Sequence, residues 1–274
     1  MSIVKSLLRP VPALLLVFAL AIVCFALVGV NHQSEQQPSK SEHTVLAIVW
    51  YQTSAEFRAL CYQAYHVARL TLDEDLRNKT ITRPRAIIVD VDETILDNSP
   101  HAARLIKEDQ TYPYLWNEWV DAARAEAVPG AVDLLNYAVS HGVRVFYVSN
   151  RTVKQIDATM KNLAAAGFPD VKREQMLFKE HESSKESRRT SIATNHHVVM
   201  LIGDNLNDFS NAFERKNVAE RFSEVNRSKN EFGKRFIILP NPTYGDWEGV
   251  LYNYNYRLSD SEKDKLRKSS LRSF

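Results

Sequence analysis

The sequence predicts an α/β fold in which a parallel β-sheet carries helices on both of its faces. Apolar runs that end in polar residues, as in AIIVDVDET (86–94) and HVVMLIGDN (197–205), are typical of strands buried on both sides. Amphipathic helical patterns separate these runs along the chain. Strands that alternate with helices favour a Rossmann-like parallel sheet.

The elements of this fold follow one another in a regular order. A helical spacing of apolar residues runs from Leu46 to about Asn78, and Arg83-Pro84-Arg85 interrupts it. Beyond that point strands are predicted within 86–94, 143–151, 175–178, 197–205 and 235–240, and helices within 130–142, 152–166 and 183–195. We therefore expect one domain over 46–258 with a small helical cap, preceded by a linker (31–45) and followed by a polar tail (259–274) that forms a solvated, frayed helix.

The amino-terminal segment, residues 1–30, is predicted to be a signal anchor or signal peptide. Val11 to Val30 is a stretch of twenty uncharged residues, long enough to span a bilayer. Lys5 and Arg9 precede it, which places that end in the cytoplasm and exports the rest. An uncleaved anchor fits the length best, and the alternatives are a cleaved signal peptide and a lipoprotein signal at Cys24. The expected location is extracytoplasmic and membrane-anchored, at the periplasmic face or as an outer-membrane lipoprotein of a bacterium.

Charge and cysteine content narrow the function classes. The formal net charge is +2, and Lys5 and Arg9 account for that excess, so the remainder of the chain is neutral by count. A binder of nucleic acid polymers usually shows a basic excess, which is missing here. Cys24 and Cys61 are the two cysteines. They are not expected to pair, so the fold depends on its apolar core, and Cys61 is interpreted as a small buried hydrophobe.

Polar residues follow three of the predicted strands. Asp90 and Asp92 come after the first, Ser149 and Asn150 end the second, and Asp204 and Asp208 end the fourth. The carboxyl ends of parallel strands meet at one edge of the sheet, where ligands bind in such folds. Carboxylate oxygens at this density suit Mg²⁺. We therefore expect a Mg²⁺ site with the four aspartates as candidate ligands.

These residue types also support phosphoryl chemistry. A carboxylate can attack phosphorus, and a second carboxylic acid can protonate the leaving oxygen. Asp90 and Asp92 match that division of labour. The charge that develops on phosphoryl oxygens needs donors held in place. Ser149 and Lys185 are the predicted donors, with Lys179 and Arg188 as rivals of the lysine.

Four short motifs, DVDET (90–94), Ser149, Lys185 and GDNLND (203–208), resemble the motifs of the haloacid dehalogenase-like phosphatases. Longer segments are similar to the class C acid phosphatases, which include bacterial lipoprotein 5′-nucleotidases. They are WYQTSAEFRAL (50–60), DVDETILDNSPH (90–101), WVDAARAEAVPGAV (119–132), FYVSNR (146–151), GDNLNDF (203–209) and NPTYGDWEG (241–249). The resemblance covers roughly residues 48–255, and six segments in this order make it very specific.

The resemblance implies a role for each matching acid and base. Asp90 is implied to be the nucleophile and a metal ligand, and Asp92 the acid/base, whose backbone carbonyl also touches the metal. Lys185 is implied to neutralise the nucleophile and the phosphate. Asp204 is implied to bind the metal, and Asp208 to support its ligand shell.

The resemblance also implies a substrate pocket. Ser149, where relatives often have threonine, binds phosphate, and Asn150 belongs to the same predicted substrate-binding set. Trp116 and Tyr244 match aromatic positions that can stack on a base or pyridine ring. Relatives often carry a lysine at the position of Glu182, and this departure weakens the attraction for phosphate.

These expectations combine into one leading hypothesis and two others. The leading hypothesis is an extracytoplasmic, Mg²⁺-dependent acid phosphatase or 5′-nucleotidase. Its partners are small phosphomonoesters, such as nucleoside monophosphates or nicotinamide mononucleotide, and the membrane at its amino-terminal segment; a homo-oligomer is left open. The second hypothesis is a phosphotransferase that uses the same aspartyl-phosphate. The third is a surface-anchored protein that binds haem or another ligand.

Overall fold

The computed structural model describes residues 39–274 as one compact unit. The predicted signal segment (1–30) and most of the predicted linker (31–45) lie outside the described residues. Between residues 39 and 274, no helix combines the length and the apolar character needed to cross a bilayer.

The described part of the chain alternates helices and strands. The α-helices are α1 (Val45–Thr53), α2 (Ala55–Arg77), α3 (Ser99–Lys107), α4 (Trp116–Ala122), α5 (Ala131–Ser140), α6 (Ile156–Ala165), α7 (Glu186–Asn195), α8 (Val218–Arg227), α9 (Asp246–Gly249) and α10 (Asp260–Ser269). The strands are β1 (Arg85–Val89), β2 (Leu96–Asp97), β3 (Glu126–Ala127), β4 (Arg144–Thr152), β5 (Met176–Lys179), β6 (His197–Gly203) and β7 (Phe236–Ile238).

Five of these strands form one parallel sheet in the order β5-β4-β1-β6-β7. Strand β1 occupies the centre, where Ile88 lies beside Phe146 of β4 and Leu201 of β6. All five correspond to strands that the sequence predicted, so the predicted parallel α/β sheet is confirmed.

Helices cover both faces of the sheet. Alternate residues of β1 enter different cores, because successive side chains of a strand point to opposite faces. Ile87 packs in the cluster that contains Leu72 of α2. Ile88 packs in the cluster that contains Ile192 of α7 and, from a different segment, Phe213. Burial on both faces explains why β1 reads as an uninterrupted apolar run.

The long helix predicted from Leu46 to Asn78 is two helices in the structure. The chain leaves helical geometry at Ser54, where ψ is 134°, and the Ser54 side chain accepts a hydrogen bond from the backbone N–H of Phe57. Serine is a preferred residue at a helix start because it satisfies an unpaired N–H there. The apolar spacing continues across the break, so the spacing alone did not reveal it.

A small cap is inserted between β1 and α5. It contains α3 and α4, joined to the main sheet by a short antiparallel pair in which Leu96 of β2 lies opposite Ala127 of β3. The sequence predicted a helical cap, whereas the cap in the structure also contains this pair of strands. Trp119 anchors it, because its ring is buried and its Nε1 donates a 2.8 Å hydrogen bond to Asn98 Oδ1.

The first described residues pack against the cap. The hydroxyl of Ser39 donates a 2.8 Å hydrogen bond to Asp109, and the buried hydroxyl of Ser41 donates to the carbonyl oxygen of Gln110. The compact unit therefore begins earlier than the predicted boundary at residue 46.

The carboxyl-terminal segment is also docked on the domain. Helix α10 starts with a capping box between Ser259 and Glu262. Further along, Arg267 donates hydrogen bonds to the hydroxyl of Tyr252 (2.6 Å) and to Glu248 (3.1 Å). Glu248 also lies 3.8 Å from the ring of His43, so both ends of the compact unit reach the same carboxylate. The predicted tail is a capped helix with tertiary contacts rather than a frayed one.

Candidate active site

Three of the predicted metal ligands meet at the carboxyl end of the sheet. Asp90 directly follows β1, and Asp204 and Asp208 follow β6, the neighbouring strand. One carboxylate oxygen from each of the three lies within 4.8 Å of the other two. The parallel pairing of β1 with β6 therefore gathers acids that are more than a hundred residues apart in the chain.

Lys185 lies inside this acidic cluster. It stands just before α7, is buried, and donates from Nζ to Asp90 Oδ1 and, at 2.6 Å, to Asp208 Oδ1. Its predicted rivals are placed differently: Arg188 binds the carbonyl oxygen of Ser149, and Lys179 belongs to β5. Of these three cations, Lys185 is the one that contacts Asp90.

Burial and charge shift the titration of the cluster. Burial, reinforced by the neighbouring Asp208, raises the pKa of Asp204 to about 8. Burial alone would lower the pKa of Lys185, but the carboxylates of Asp208 and Asp90 outweigh that effect and raise the pKa above its ordinary value. Lys185 is therefore an ammonium ion throughout the physiological pH range.

The cluster fits a divalent cation. When all are ionised, three carboxylates against one ammonium leave two uncompensated negative charges in a largely buried place, which is costly without another cation. The donor atoms are all oxygens, the ligands that Mg²⁺ prefers. Asp90, Asp204 and Asp208 are thus the residues that could hold such an ion.

Thr94 completes the cluster, and the sequence did not single it out. Its hydroxyl oxygen lies 3.3 Å from Asp90 Oδ2 and 3.2 Å from Asp204 Oδ1, so one buried group bridges the acids of two strands. The only signal in the sequence was its position at the end of the DVDET motif.

The side chain of Asp92 points away from the acidic cluster. Its Oδ1 accepts hydrogen bonds from Arg151 and from Asn98, and its Oδ2 accepts a weaker one from Ser149 at 3.3 Å. The predicted contact of Asp92 with a metal involves its backbone carbonyl, so the orientation of the side chain is compatible with it. The carboxylate of Asp92 is therefore not one of the side-chain groups that could hold the metal.

Ser149 and Asn150, predicted to bind substrate, lie at the end of β4. Ser149 is buried with its hydroxyl toward Asp92, whereas Asn150 is exposed and its Oδ1 accepts a 2.8 Å hydrogen bond from Arg188. Arg188 also donates to the carbonyl oxygen of Ser149 at 2.6 Å. Arg188 therefore fixes the backbone near the end of β4, a role that the sequence did not predict.

The two aromatic residues predicted to line a pocket both lie near the acids. Trp116, on α4, is half-buried and packs edge-on against His101 and Tyr112, with centroid distances of 5.2 and 5.8 Å. Tyr244, in the loop after β7, is 47% exposed, and its hydroxyl donates to Glu93. Each ring thus has one fixed edge and an accessible part.

Glu93 is a further residue that the sequence did not reveal. It is buried in the left-handed region with φ of 55°, and its two carboxylate oxygens accept from the backbone N–H of Asn98 and from Tyr244. Burial, with the charge of Asp92 beside it, raises the pKa of Glu93 to about 8. The carboxyl group connects the loop after β1 with the loop that carries Tyr244.

Arg189 belongs to the polar helix α7, yet it does not lie on a solvated face. Its side chain is buried, and its Nη1 donates hydrogen bonds to the carbonyl oxygens of Asn207 (2.7 Å) and Asp208 (3.0 Å). Arg189 therefore fixes the turn that presents Asp208 to Lys185.

The chain matches the family model described as HAD superfamily, subfamily IIIB (Acid phosphatase), over residues 20–247. The chain belongs to this acid phosphatase family. Membership places it among the phosphoric monoester hydrolases and confirms the resemblance to haloacid dehalogenase-like phosphatases.

Solved structures support the same family. A class C acid phosphatase from Bacillus anthracis superposes with a TM-score of 0.84 at 46% identity, covering 86% of this chain and 99% of that one. A structure of a class C acid phosphatase from the same organism with tungstate bound gives a TM-score of 0.83 at 46% identity, covering 85% and 98%.

Curated relatives are more distant. Two stem glycoproteins of Glycine max, of 28 and 31 kDa, are each 26% identical over 170 residues, or 57% of this chain. The aligned part is 62% of the first and 54% of the second, so the chain spans less than two thirds of their length.

A substitution at Gly203 tests how closely Asp208 approaches the end of β6. Gly203 ends β6, and a Cβ atom there would lie 2.5 Å from Asp208 Cβ. Gly203→Ala should lower the free energy of unfolding by about 1–3 kcal/mol and reduce phosphatase activity, because Asp208 must move. Urea unfolding and phosphate release measure the two effects.

Gly142→Ala is the matched control. Its φ is 77°, but a Cβ there meets nothing within 4 Å. It should cost about 1–2 kcal/mol from backbone strain and leave turnover unchanged. Wild-type stability and activity in Gly203→Ala would contradict the close approach of Asp208 to β6.

Proposed function

We propose that the protein is an extracytoplasmic, Mg²⁺-dependent acid phosphatase with 5′-nucleotidase activity on small phosphomonoesters. The observation that carries the proposal is the contact of Asp90 with Lys185 inside the acidic cluster, at the carboxyl end of the central strand. A buried carboxylate held by an ammonium ion is a nucleophile fixed in place.

The first half of the reaction forms an aspartyl-phosphate. A carboxylate oxygen of Asp90 bonds to phosphorus, and the bond from phosphorus to the leaving oxygen breaks, with its electron pair remaining on that oxygen. Asp92, as a carboxylic acid, transfers its proton to the leaving oxygen. The products of this half are the free alcohol, the phosphorylated Asp90 and the carboxylate of Asp92.

The second half clears the intermediate. The carboxylate of Asp92 takes a proton from water as the water oxygen bonds to phosphorus. The bond between phosphorus and the Asp90 oxygen breaks, which restores the Asp90 carboxylate and releases inorganic phosphate. Asp92 is then again a carboxylic acid, ready for the next cycle.

Lys185 and Ser149 would stabilise the phosphoryl group during both steps. Lys185 is already oriented by Asp90 and Asp208, so its positive charge needs no reorganisation as charge develops. Mg²⁺ bound by Asp90, Asp204 and Asp208 would add positive charge beside the phosphoryl oxygens.

Trp116 and Tyr244 support a nucleotide substrate. Stacking of a base on an aromatic side chain contributes about 1–3 kcal/mol, which corresponds to a gain in affinity of roughly 5- to 150-fold. Nucleoside monophosphates and nicotinamide mononucleotide each carry a planar ring of the kind that stacks on an aromatic side chain. Tungstate, bound by a class C relative, is a tetrahedral oxyanion like the phosphate that these substrates present.

The proposed location outside the cytoplasm, on a membrane anchor, is supported by the sequence of residues 1–30. Twenty uncharged residues follow two basic ones there. The rest of the chain, from residue 31 on, is neutral by count, as expected for a protein that meets small substrates rather than nucleic acid polymers.

The test of the proposed function is phosphate release by the full chain at mildly acid pH, with Mg²⁺ or with a chelator. Removing the metal should lower kcat by about 100-fold or more, because the buried carboxylates then repel the phosphate. Nucleoside monophosphates should exceed glycerol phosphate in kcat/KM by about tenfold.

Asp204→Asn, which removes one proposed ligand, should raise the Mg²⁺ concentration needed for half-maximal activity. Asp133→Asn, at an exposed position of α5, is the matched control and should match the wild type. Activity that is unaffected by the chelator would refute the metal assignment.

A further inference from the structure

Arg151 is the last residue of the FYVSNR segment, and its side chain is almost completely inaccessible to solvent, at 1% exposure. Its guanidinium group donates from Nε and Nη2 to Asp92 Oδ1, at 3.0 and 2.8 Å. Its Nη1 donates to the hydroxyl of Thr159 at 3.0 Å. The guanidinium group is therefore held on both sides and cannot rotate without losing a buried contact.

The two oxygens of Asp92 have different surroundings as a result. Oδ1 accepts both hydrogen bonds from Arg151 and a third, at 2.9 Å, from Asn98 Nδ2. Oδ2 accepts one bond of 3.3 Å, from Ser149. A carboxylate oxygen with three donors has no capacity left for a proton, so Oδ2 is the oxygen that can carry one.

Arg151 also links Asp92 to the aromatic side of the pocket. The centre of its guanidinium group lies 5.4 Å from the centroid of the Trp116 ring, within the range of a cation–π contact. Asn98 strengthens the link, because its Oδ1 accepts from Arg151 Nη2 at 3.3 Å and from Trp119 Nε1 at 2.8 Å. The position of Asp92 is thus fixed by β4, through Arg151, and by the cap, through Asn98.

We propose that Arg151 is a positioning residue that turns Asp92 so that Oδ2 faces the leaving oxygen of the substrate. The role rests on the proposed phosphatase function. Arg151 acts through Asp92 and makes no contact with the reacting atoms.

The chemistry gives this role a distinctive signature. An alkoxide is a poor leaving group, so a nucleoside monophosphate needs the proton from Asp92 as the ester bond breaks. A nitrophenolate is a stable anion and leaves without a proton. In the first half of the reaction, which kcat/KM reports, a defect in the position of Asp92 should therefore slow the alkyl ester far more than the aryl ester, whereas general damage to the site slows both alike.

The experiment compares kcat/KM on adenosine 5′-monophosphate and on 4-nitrophenyl phosphate for the full-length wild type, Arg151→Lys and Arg151→Gln. Lysine keeps the charge without the planar fork, and glutamine keeps a planar donor without the charge. Each should lower kcat/KM on the nucleotide by about 100-fold and on the aryl ester by less than tenfold. Thermal unfolding identifies which of the two variants retains the wild-type fold, and that variant provides the test.

Two further variants separate a positioning role from a structural one. In an Asp92→Asn background, Arg151→Lys should cause no additional loss on the nucleotide, because residues that act as a unit are not additive. Arg221→Lys alters another buried arginine, which binds the carbonyl oxygen of Phe213. This substitution should change kcat/KM on both esters by the same small factor.

If the wild type is active and Arg151→Lys loses the same factor in kcat/KM on both esters, the role of Arg151 is overturned and the proposed function stands. A full additional loss in the Asp92→Asn background would also overturn it. Inactivity of the wild type on both esters would overturn the proposed function first, and the role of Arg151 with it.

Discussion

Asp90→Asn should lower kcat by about four orders of magnitude or more while the protein stays folded. An amide cannot form the aspartyl-phosphate, yet it has nearly the shape of the carboxylate. Burial raises the pKa of Asp90 well above its ordinary value, which shows that the charged form is held at a cost. We therefore expect the free energy of unfolding to be unchanged or higher at neutral pH, as measured by urea unfolding.

Two observations accompany this experiment. In the wild type, rapid acid quenching during turnover should yield a chain phosphorylated on Asp90, detectable by mass spectrometry, and Asp90→Asn should give none. Asp133→Asn, at an exposed site, controls for the change of charge. Turnover near the wild-type rate in Asp90→Asn would refute the assignment of the nucleophile.

Lys185→Met should impair both activity and stability. We expect a fall in kcat of about 100- to 1000-fold, because a preorganised positive charge beside the phosphoryl group is lost. The free energy of unfolding at neutral pH should fall by about 3–5 kcal/mol, because Asp90 and Asp208 lose their buried ammonium partner.

The stability loss in Lys185→Met should depend on pH and on metal. A carboxyl group with a raised pKa in the folded state favours folding at low pH, and this contribution is lost as the pH rises through the folded-state value. Lys185 lowers the pKa of Asp204, which is about 8 in the wild type, so this pKa is higher in the variant and the extra loss should grow as the pH rises through 8. Mg²⁺ should reduce it.

Lys161→Met, at an exposed position of α6, is the control for the loss of a lysine and should behave as the wild type. Differential scanning calorimetry across this pH range measures the effect. A variant with wild-type stability at pH 8 would contradict the ion pair that Lys185 forms with Asp90 and Asp208.

The strands of this protein could be predicted from the sequence because the central ones are buried on both faces. Such strands are continuous apolar runs, and the predicted 143–151 differs from the observed Arg144–Thr152 by one residue at each end. The acids at the strand ends could be predicted for the same reason, since parallel pairing brings those ends together whatever the intervening sequence.

The residues that the sequence did not reveal depend on contacts between distant parts of the chain. Arg151 is 59 residues from Asp92, and Glu93 is 151 residues from Tyr244. Neither pair has a periodic pattern, because each joins segments that are far apart in the sequence. The burial of Arg189 could not be predicted for a related reason: it is a polar residue in a polar helix, and its partners are the backbone carbonyls of another loop.

The meeting of both ends of the compact unit at Glu248 has a consequence for the order of the elements. His43 and Arg267 contact the same carboxylate, at 3.8 and 3.1 Å, so a short peptide could join the two ends at the surface. New ends could then be opened at an exposed turn such as the one at Gly142, giving a circular permutant. Strand β1 would keep β4 and β6 as neighbours in that permutant, because the sheet is defined by pairing in space rather than by the order of translation.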